Sequence, residues 1–382
     1  MQGPTTKDAG LEQWQLNDDV IGLRLWATDR NQLMPVAPIE DLLAPPEELV
    51  IGADEASWLR LEDPQGRVSR RHATLSYRDG KWLLRDTGST NGLVVNGVKC
   101  VEVVLESGME IWLGGVTLVA ESKRSIAVRG FLARLLGWGA GSMQAIDLAL
   151  RSIRVAASRC APLVLCGEDE LVLVARALHR RVLGTDRPFI VCDPRRKRTD
   201  PNVRSPENYQ SGMEGLLAAK HGTLCIWNRP LPSDFADMKS ALGHPDTRVQ
   251  LVVCVTEPCD AEAFSAFVIN VPALSGRASD LPRIVEEYAH DITYELGAPR
   301  NSFGRSDQEW AIERASSSLP EIEKAILRVL VLRQFDGNRT LAAAKLGMDP
   351  WSLNKWAKRR DAPVPAEKGS KRSSKSQGPR VK

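Results

Sequence analysis

The stretch Val68-Ser69-Arg70-Arg71-His72-Ala73, answered further on by Asp86-Thr87-Gly88-Ser89-Thr90-Asn91-Gly92, decides the fold of the first third of this chain. Both runs are polar, and short apolar segments flank them: Val20–Trp26, Leu49–Ile51, Ala73–Tyr77, Trp82–Arg85, Leu93–Val95, Glu110–Leu113 and Thr117–Ala120. Between these segments stand Arg78-Asp79-Gly80, Asn91-Gly92, Asn96-Gly97 and Gly114-Gly115, the dipeptides of hairpins and loops. Short strands at this spacing predict an all-β sandwich over residues 20–122, with the two polar runs as loops between strands.

Donors mounted on such loops suit a phosphorylated side chain. A phosphothreonine carries roughly −1.5 to −2 charge and three acceptor oxygens. The Ser69 hydroxyl and the Arg70 guanidinium can meet those oxygens with charge-assisted bonds. The two loops, preceded by Val50-Ile51-Gly52, resemble the forkhead-associated (FHA) domain. That resemblance implies that Ser69, Arg70, Thr90 and Asn91 bind a phosphothreonine peptide, Asn91 by holding its backbone. It also implies that Gly52, His72 and Gly92 brace the loops. One position departs from the pattern: the family carries Arg directly after the glycine of Ile51-Gly52, and here that place is Ala53. Arg60 and Arg67 are the nearest candidates to replace it; without them the domain is a phosphate-independent interaction module.

The whole chain, 382 residues with 43% hydrophobic and 26% charged content, suits two or three globular domains. Its longest apolar runs fall short of a bilayer-spanning helix, and residues 1–19 form a polar extension without a secretory pattern. The expected location is cytoplasmic, with no membrane contact. Net charge is +3 but uneven: Leu319–Lys382 holds 15 Lys/Arg against 6 Asp/Glu, whereas the remainder holds 36 against 42. A basic end on an acidic chain suits nucleic acid, or else a solubilising tail. The seven cysteines form no C-x-x-C pair, and the five histidines are too sparse for a zinc site. Reduced, buried thiols are expected, with no metal and no cofactor.

Residues 142–297 alternate helix and strand. Ala145–Ala157 and Glu170–Arg181 are helical in period, strands are expected at Pro162–Cys166, Phe189–Cys192, Thr223–Trp227 and Val249–Val255, and a helix at Asp280–Leu296. This order predicts a parallel sheet with crossover helices. Val164-Leu165-Cys166-Gly167-Glu168, Ala175-Arg176-Ala177-Leu178-His179, Gly222-Thr223-Leu224 and Pro272-Ala273-Leu274 resemble, in that order, the AAA+ ATPase domain of sigma-54-dependent activators. The catalytic positions fail. Glu168-Asp169-Glu170-Leu171 stands where glycines and a lysine should wrap phosphate, and Ile226-Trp227-Asn228 where two carboxylates should hold Mg²⁺. No Lys or Arg lies between Arg248 and Arg277, where the resemblance places arginine fingers. The expectation is a degenerate AAA+ domain without catalytic residues, serving as an oligomerising or a merely connecting spacer.

Residues 305–361 read as all helical, and 362–382 as a disordered basic tail. Asp336-Gly337-Asn338-Arg339-Thr340, Ala342–Met348 and Asp349–Arg360 resemble the Fis-type helix-turn-helix of the same activators. Asp349 suits an N-cap and Pro350 a first helical turn. The resemblance implies that Ser352, Asn354 and Lys355 face a DNA major groove, while Arg339, Lys358, Arg359 and Arg360 reach phosphates. Trp351 is expected either to touch DNA or to lie in the core. Trp356 is read as core. The apolar face Leu319, Ile322, Ile326, Leu327 and Leu330 is expected to pair with a second copy, giving a homodimer or higher oligomer. Together these readings describe a bacterial transcription regulator that reads phosphothreonine, binds double-stranded DNA and lacks ATPase and sigma-54-remodelling activity. The alternative is a phosphopeptide-binding adaptor in a Ser/Thr-kinase pathway with vestigial DNA-binding helices.

Overall fold

The computed structural model describes residues 18–26, 37–38, 48–168, 170–198, 206–244, 247–261, 264–265 and 267–365. Nearly all of the expected N-terminal extension (1–19) and basic tail (362–382) lies outside the described residues. The first eleven strands are β1 (Gly22–Leu25), β2 (Ala37–Pro38), β3 (Leu49–Gly52), β4 (Leu59–Arg60), β5 (Ala73–Arg78), β6 (Lys81–Asp86), β7 (Leu93–Val95), β8 (Val98–Cys100), β9 (Glu102–Val104), β10 (Glu110–Leu113) and β11 (Val116–Glu121). They form two sheets, ordered β2-β1-β11-β10-β7-β8 and β4-β3-β5-β6-β9. Period-2 alternation sends Trp82 and Leu84 of β6 inward, where they meet Leu23, Ile51, Leu75, Leu93, Ile111 and Leu118 in one buried core. Each such side chain contributes about 1.5–3 kcal/mol on burial. The hairpin dipeptides act as expected. Asp79-Gly80 and Asn96-Gly97 both take positive φ at two successive residues, which the turn matching strand twist requires.

No linker follows the sandwich. Ser122, one residue beyond β11, caps α1 (Lys123–Leu136) through a reciprocal box with Ser125, and α2 (Ala140–Ser158) packs back on α1. Arg24 of β1 points away from the sandwich core but is only 5% exposed. Its guanidinium makes two bonds to Asp147 of α2 (2.5 and 3.0 Å) and one to Glu121 of β11 (2.9 Å). Arg129 of α1 joins the same Glu121 at 3.1 Å, and Arg154 of α2 reaches Glu110 of β10 at 3.1 Å. Burial opposes the charge on Arg24, yet the two carboxylates outweigh it and raise its pKa.

The α/β part continues with β12 (Leu163–Cys166), α3 (Leu171–Leu183), β13 (Phe189–Cys192), β14 (Glu207–Tyr209), α4 (Gly212–Ala218), β15 (Thr223–Trp227), α5 (Phe235–Leu242), β16 (Gln250–Val255), α6 (Pro258–Ala261) and β17 (Val268–Asn270). Its sheet is all parallel, ordered β14-β13-β15-β16-β12-β17. The apolar runs Leu163–Cys166 and Leu251–Val255 are buried along their length, as a sheet covered on both faces requires. Cys166, Cys192, Cys225 and Cys254 form no disulfide and are buried in β12, β13, β15 and β16.

A separate compact unit begins at Arg277 and holds α7 (Leu281–Glu295), α8 (Arg305–Ala315), α9 (Leu319–Gln334), α10 (Arg339–Lys345) and α11 (Pro350–Arg359). The helix expected at Asp280–Leu296 within the α/β part packs instead on α8 and α9. That packing covers most of the α9 face: Leu319, Ile322, Ile326 and Leu330 are buried within this one chain and Leu327 is half-buried. Asp307 of α8 clamps Arg333 of α9 with two bonds of 2.8 and 2.6 Å. No described helix is long and apolar enough to cross a membrane.

Candidate functional site

The two polar loops of the sandwich meet, and His72 joins them. Its ring is fully buried and accepts the Ser69 N–H at Nδ1 (3.1 Å), so the proton sits on Nε2 and is donated to the Gly92 carbonyl (3.1 Å). The backbone of His72 is fixed in turn, its N–H donating to the Ile51 carbonyl of β3 and its carbonyl accepting the Thr87 N–H. Ser69 and Thr90 are brought together as expected, with the Thr90 N–H donating to the Ser69 hydroxyl oxygen at 3.2 Å. The Asn91 amide donates to the Arg67 carbonyl at 2.7 Å, which leaves its oxygen as an acceptor for an incoming chain. Arg70 is exposed, and no hydrogen bond or ion pair holds its guanidinium among the described residues.

Gly52 is what lets the first loop close. A Cβ there would collide with the Arg70 carbonyl and stand 2.8 Å from that of Ser69. The same turn straps the loop down, through Ala53 N–H to the Ser69 carbonyl and Asp54 N–H to the Arg70 carbonyl, both 3.1 Å. Gly92 takes a positive φ of 76° as it turns into β7.

Two residues escaped the sequence reading. Asp86 accepts the Gly88 and Ser89 N–H groups (3.1 and 3.2 Å) and the Ser89 hydroxyl (2.5 Å), while Ser89 accepts the Gly92 N–H at 2.9 Å. The aspartate-to-glycine spacing of Asp86-Thr87-Gly88 is the side-chain turn signal that points to them. Asp63 fixes the far end of the first loop. Burial pushes its carboxyl up, but the N–H groups of Gln65 and Arg67 and the nearby Arg67 guanidinium bring it below the usual carboxylate range.

At the end of β12 the chain is bonded into its neighbours. The Gly167 N–H is spent on the Val255 carbonyl (3.0 Å), the Cys166 carbonyl on Val271 N–H (2.7 Å), and Leu171 is fully buried where α3 begins. Asp169 lies outside the described residues. Beyond β15, Asn228 and Arg229 both bond Asp260 of α6 (2.8 and 2.9 Å), a carboxylate the sequence reading did not place there. Among the described residues no group of three His, Cys, Asp or Glu is arranged to hold a metal.

On α11, Trp351, Lys355, Lys358 and Arg359 are exposed at positions i, i+4, i+7 and i+8, which form one face. Lys355 lies 4.9 Å over the Trp351 ring. Ser352 and Asn354 are half-buried beside that face. Trp356 is core, edge-on to Trp310 at 6.3 Å. Two arginines depart from expectation. Arg360 is bound to Glu321 (2.6 Å), and Arg339 is half-buried with its guanidinium turned back on the Gly337 carbonyl (2.5 Å). Each bonds an oxygen of its own unit, Arg360 a carboxylate and Arg339 a carbonyl, while the Arg339 Nε is buried without a hydrogen-bond partner.

A search of curated protein sequences finds no match to the chain. Among solved structures it is similar to the FhaA FHA domain complexed with the intracellular domain of Rv3910, at 28% identity over 26% of this chain and 96% of that one, TM-score 0.21. It is also similar to a structure of phosphothreonine-dependent FHA domain interactions, at 27% identity over 26% and 96%, TM-score 0.22. Mycobacterium tuberculosis Rv1747 FHA-1 follows, at 22% identity over 27% and 99%, TM-score 0.21. With TM-scores this low these likenesses add no support; the sandwich, its loops and the family match carry the assignment. The family model of the FHA domain matches residues 49–114, and that segment of the chain is an FHA domain.

Proposed function

We propose that this chain binds phosphothreonine peptides through the loops at 69–70 and 90–91, and that α10 and α11 bind duplex DNA, in a transcription regulator that does not hydrolyse ATP. The observation that carries the first part is the convergence of the Ser69 hydroxyl, the Thr90 N–H and the uncommitted Arg70 on a frame fixed by buried His72. Such a frame needs no rearrangement to receive phosphate oxygens. Calorimetry of the full chain with a phosphothreonine peptide and its plain threonine twin tests it. Ser69→Ala and Arg70→Ala should each weaken the phosphorylated peptide, by about 1.5–3 kcal/mol for the charged donor. Equal affinity for the two peptides would overturn the reading.

The exposed face Trp351, Lys355, Lys358 and Arg359 supports the DNA part, with phosphate contacts from the last two. A chain ending at residue 361 should prefer a selected duplex over random sequence, and weaken with salt. The spent N–H of Gly167 and the buried Leu171 support the absence of ATP binding; micromolar ATP affinity by calorimetry would refute it. The adaptor reading has one observation in its favour. With most of the apolar face of α9 buried inside the chain, little of that face is left for the dimer seam that would set two recognition helices on successive grooves. Absence of any duplex preference would decide for the adaptor.

A further inference from the structure

A phosphothreonine near neutral pH carries close to two negative charges, and Arg70 supplies one positive charge. Ala53, where the FHA pattern has arginine, is half-buried against the sandwich core, and Asp54 and Glu55 follow it. That side of the site is acidic.

Four other cations lie on the segments around the loops. Arg60 pairs beside Gly52 in the β3–β4 ladder, but its guanidinium is drawn to Glu55 (3.6 Å). The Arg67 guanidinium lies toward Asp63 (3.9 Å). Arg71 is exposed and its guanidinium has no partner among the described residues, but its carbonyl accepts the Thr87 hydroxyl (2.7 Å), at the start of the second loop and three residues short of Thr90. Lys99 of β8 lies against the end of that loop. It pairs with Val94 in the β7–β8 ladder, and its side chain leans diagonally across the hairpin. Its ammonium stands 3.1 Å, and its Cε 2.6 Å, from where a Cβ on Gly92 would be. Gly92 lies two residues beyond Thr90, and its carbonyl is the one bound by His72. Lys99 is exposed, and among the described residues no hydrogen bond or ion pair holds its ammonium.

We propose that Lys99 is the second cation of the phosphothreonine site, taking from the β7–β8 hairpin the part that residue 53 does not play. The proposal rests on the reading of the 69–70 and 90–91 loops as that site. A glycine at 92 serves it twice, by turning the chain and by leaving room for the lysine stem. Gly92 is therefore a clearance as well as a turn.

The test uses the full chain and a phosphothreonine peptide selected from a library with uncharged flanking residues, so that phosphate is its only side-chain anion. Lys99→Gln should weaken binding about tenfold or more, the scale of one lost charge-assisted bond. Lys99→Arg should stay within about threefold of wild type, and Arg71→Gln likewise. Adding Ala53→Arg to Lys99→Gln should restore much of the loss, because it returns a cation from the other side. Hydrogen exchange of the 88–100 segment should not change in Lys99→Gln, which separates a lost charge from a disturbed loop. Wild-type affinity in Lys99→Gln would overturn the proposal while leaving phosphothreonine recognition standing. Equal losses in Lys99→Gln and Lys99→Arg would overturn it too, since shape rather than charge would then matter. A wild-type chain that ignores phosphorylation would remove both readings together.

Discussion

Replacing His72 by alanine should loosen both recognition loops at once, and its size can be worked from the contacts. The imidazole is completely buried and makes two hydrogen bonds, to the Ser69 N–H and the Gly92 carbonyl. Two neutral hydrogen bonds contribute about 1 kcal/mol each. Their loss leaves the buried Gly92 carbonyl without this partner, at about 1–3 kcal/mol, and the Ser69 N–H is only half-buried and regains water. The vacated ring volume adds a cavity cost. A total near 3–4 kcal/mol follows, a few hundredfold in a local opening equilibrium. Hydrogen exchange followed by peptide is the fitting assay, because a chain of several domains does not melt in one step. Segments 68–74 and 86–95 should exchange faster by roughly two orders of magnitude, while α7 to α11 keep wild-type rates. Ser69→Ala should behave oppositely, losing phosphopeptide affinity with little change in exchange. Unchanged protection of both segments in His72→Ala would refute the bracing role.

Gly52→Ala should destabilise the sandwich by about 1–3 kcal/mol, since the new methyl meets backbone carbonyls that cannot turn aside; urea unfolding of the sandwich measures it. Asp307→Ala should cost about 3 kcal/mol in the helical unit by leaving Arg333 without its carboxylate partner, read from exchange in α8 and α9. The α/β part should weaken in mild acid. Burial pushes the His179 imidazole from 6.5 down to about 4, against the upward pull of its bond to the Arg187 carbonyl. Between those two pH values the unfolded chain binds a proton that the folded chain refuses, so stability falls as pH drops, by roughly 3 kcal/mol in all. His179→Gln should flatten that part of the profile, and an unchanged slope would contradict it.

Legibility in the sequence followed the range of the forces involved. Strands β3, β5, β6, β7, β10 and β11 were readable because alternation and turn dipeptides are local signals. The short strands β4, β8 and β9 were not, since they exist only through pairing with β3, β7 and β6. Ser69 was legible as a loop-mounted donor and His72 through the resemblance of its loop to the FHA pattern, yet the carbonyl of Arg67 that holds Asn91 carries no residue signature at all. Lys99 stayed hidden because its approach to Gly92 is a diagonal across a hairpin. In the helical unit, periodicity announced that one face of α9 would be buried, but could not say against what; α7 and α8 pack on the helix whose face was assigned to a second copy. Arg360 and Arg339 show the same limit for charge, which fixes a need for a partner and not whether the partner is DNA or the chain itself.

The salt-bridged seam of Arg24, Glu121 and Asp147 changes how a captured phosphopeptide would act. Most recognition modules hang on tethers, so that capture raises a partner's local concentration and little else. Here α1 starts two residues after Glu121, and the outer sheet of the sandwich is bolted to α2 by charges that would be stranded if the two parted. The sandwich is therefore held to α1 and α2, as a crank and not as a ball on a string. A partner seized at Ser69 and Arg70 would be held by a domain fixed to those helices.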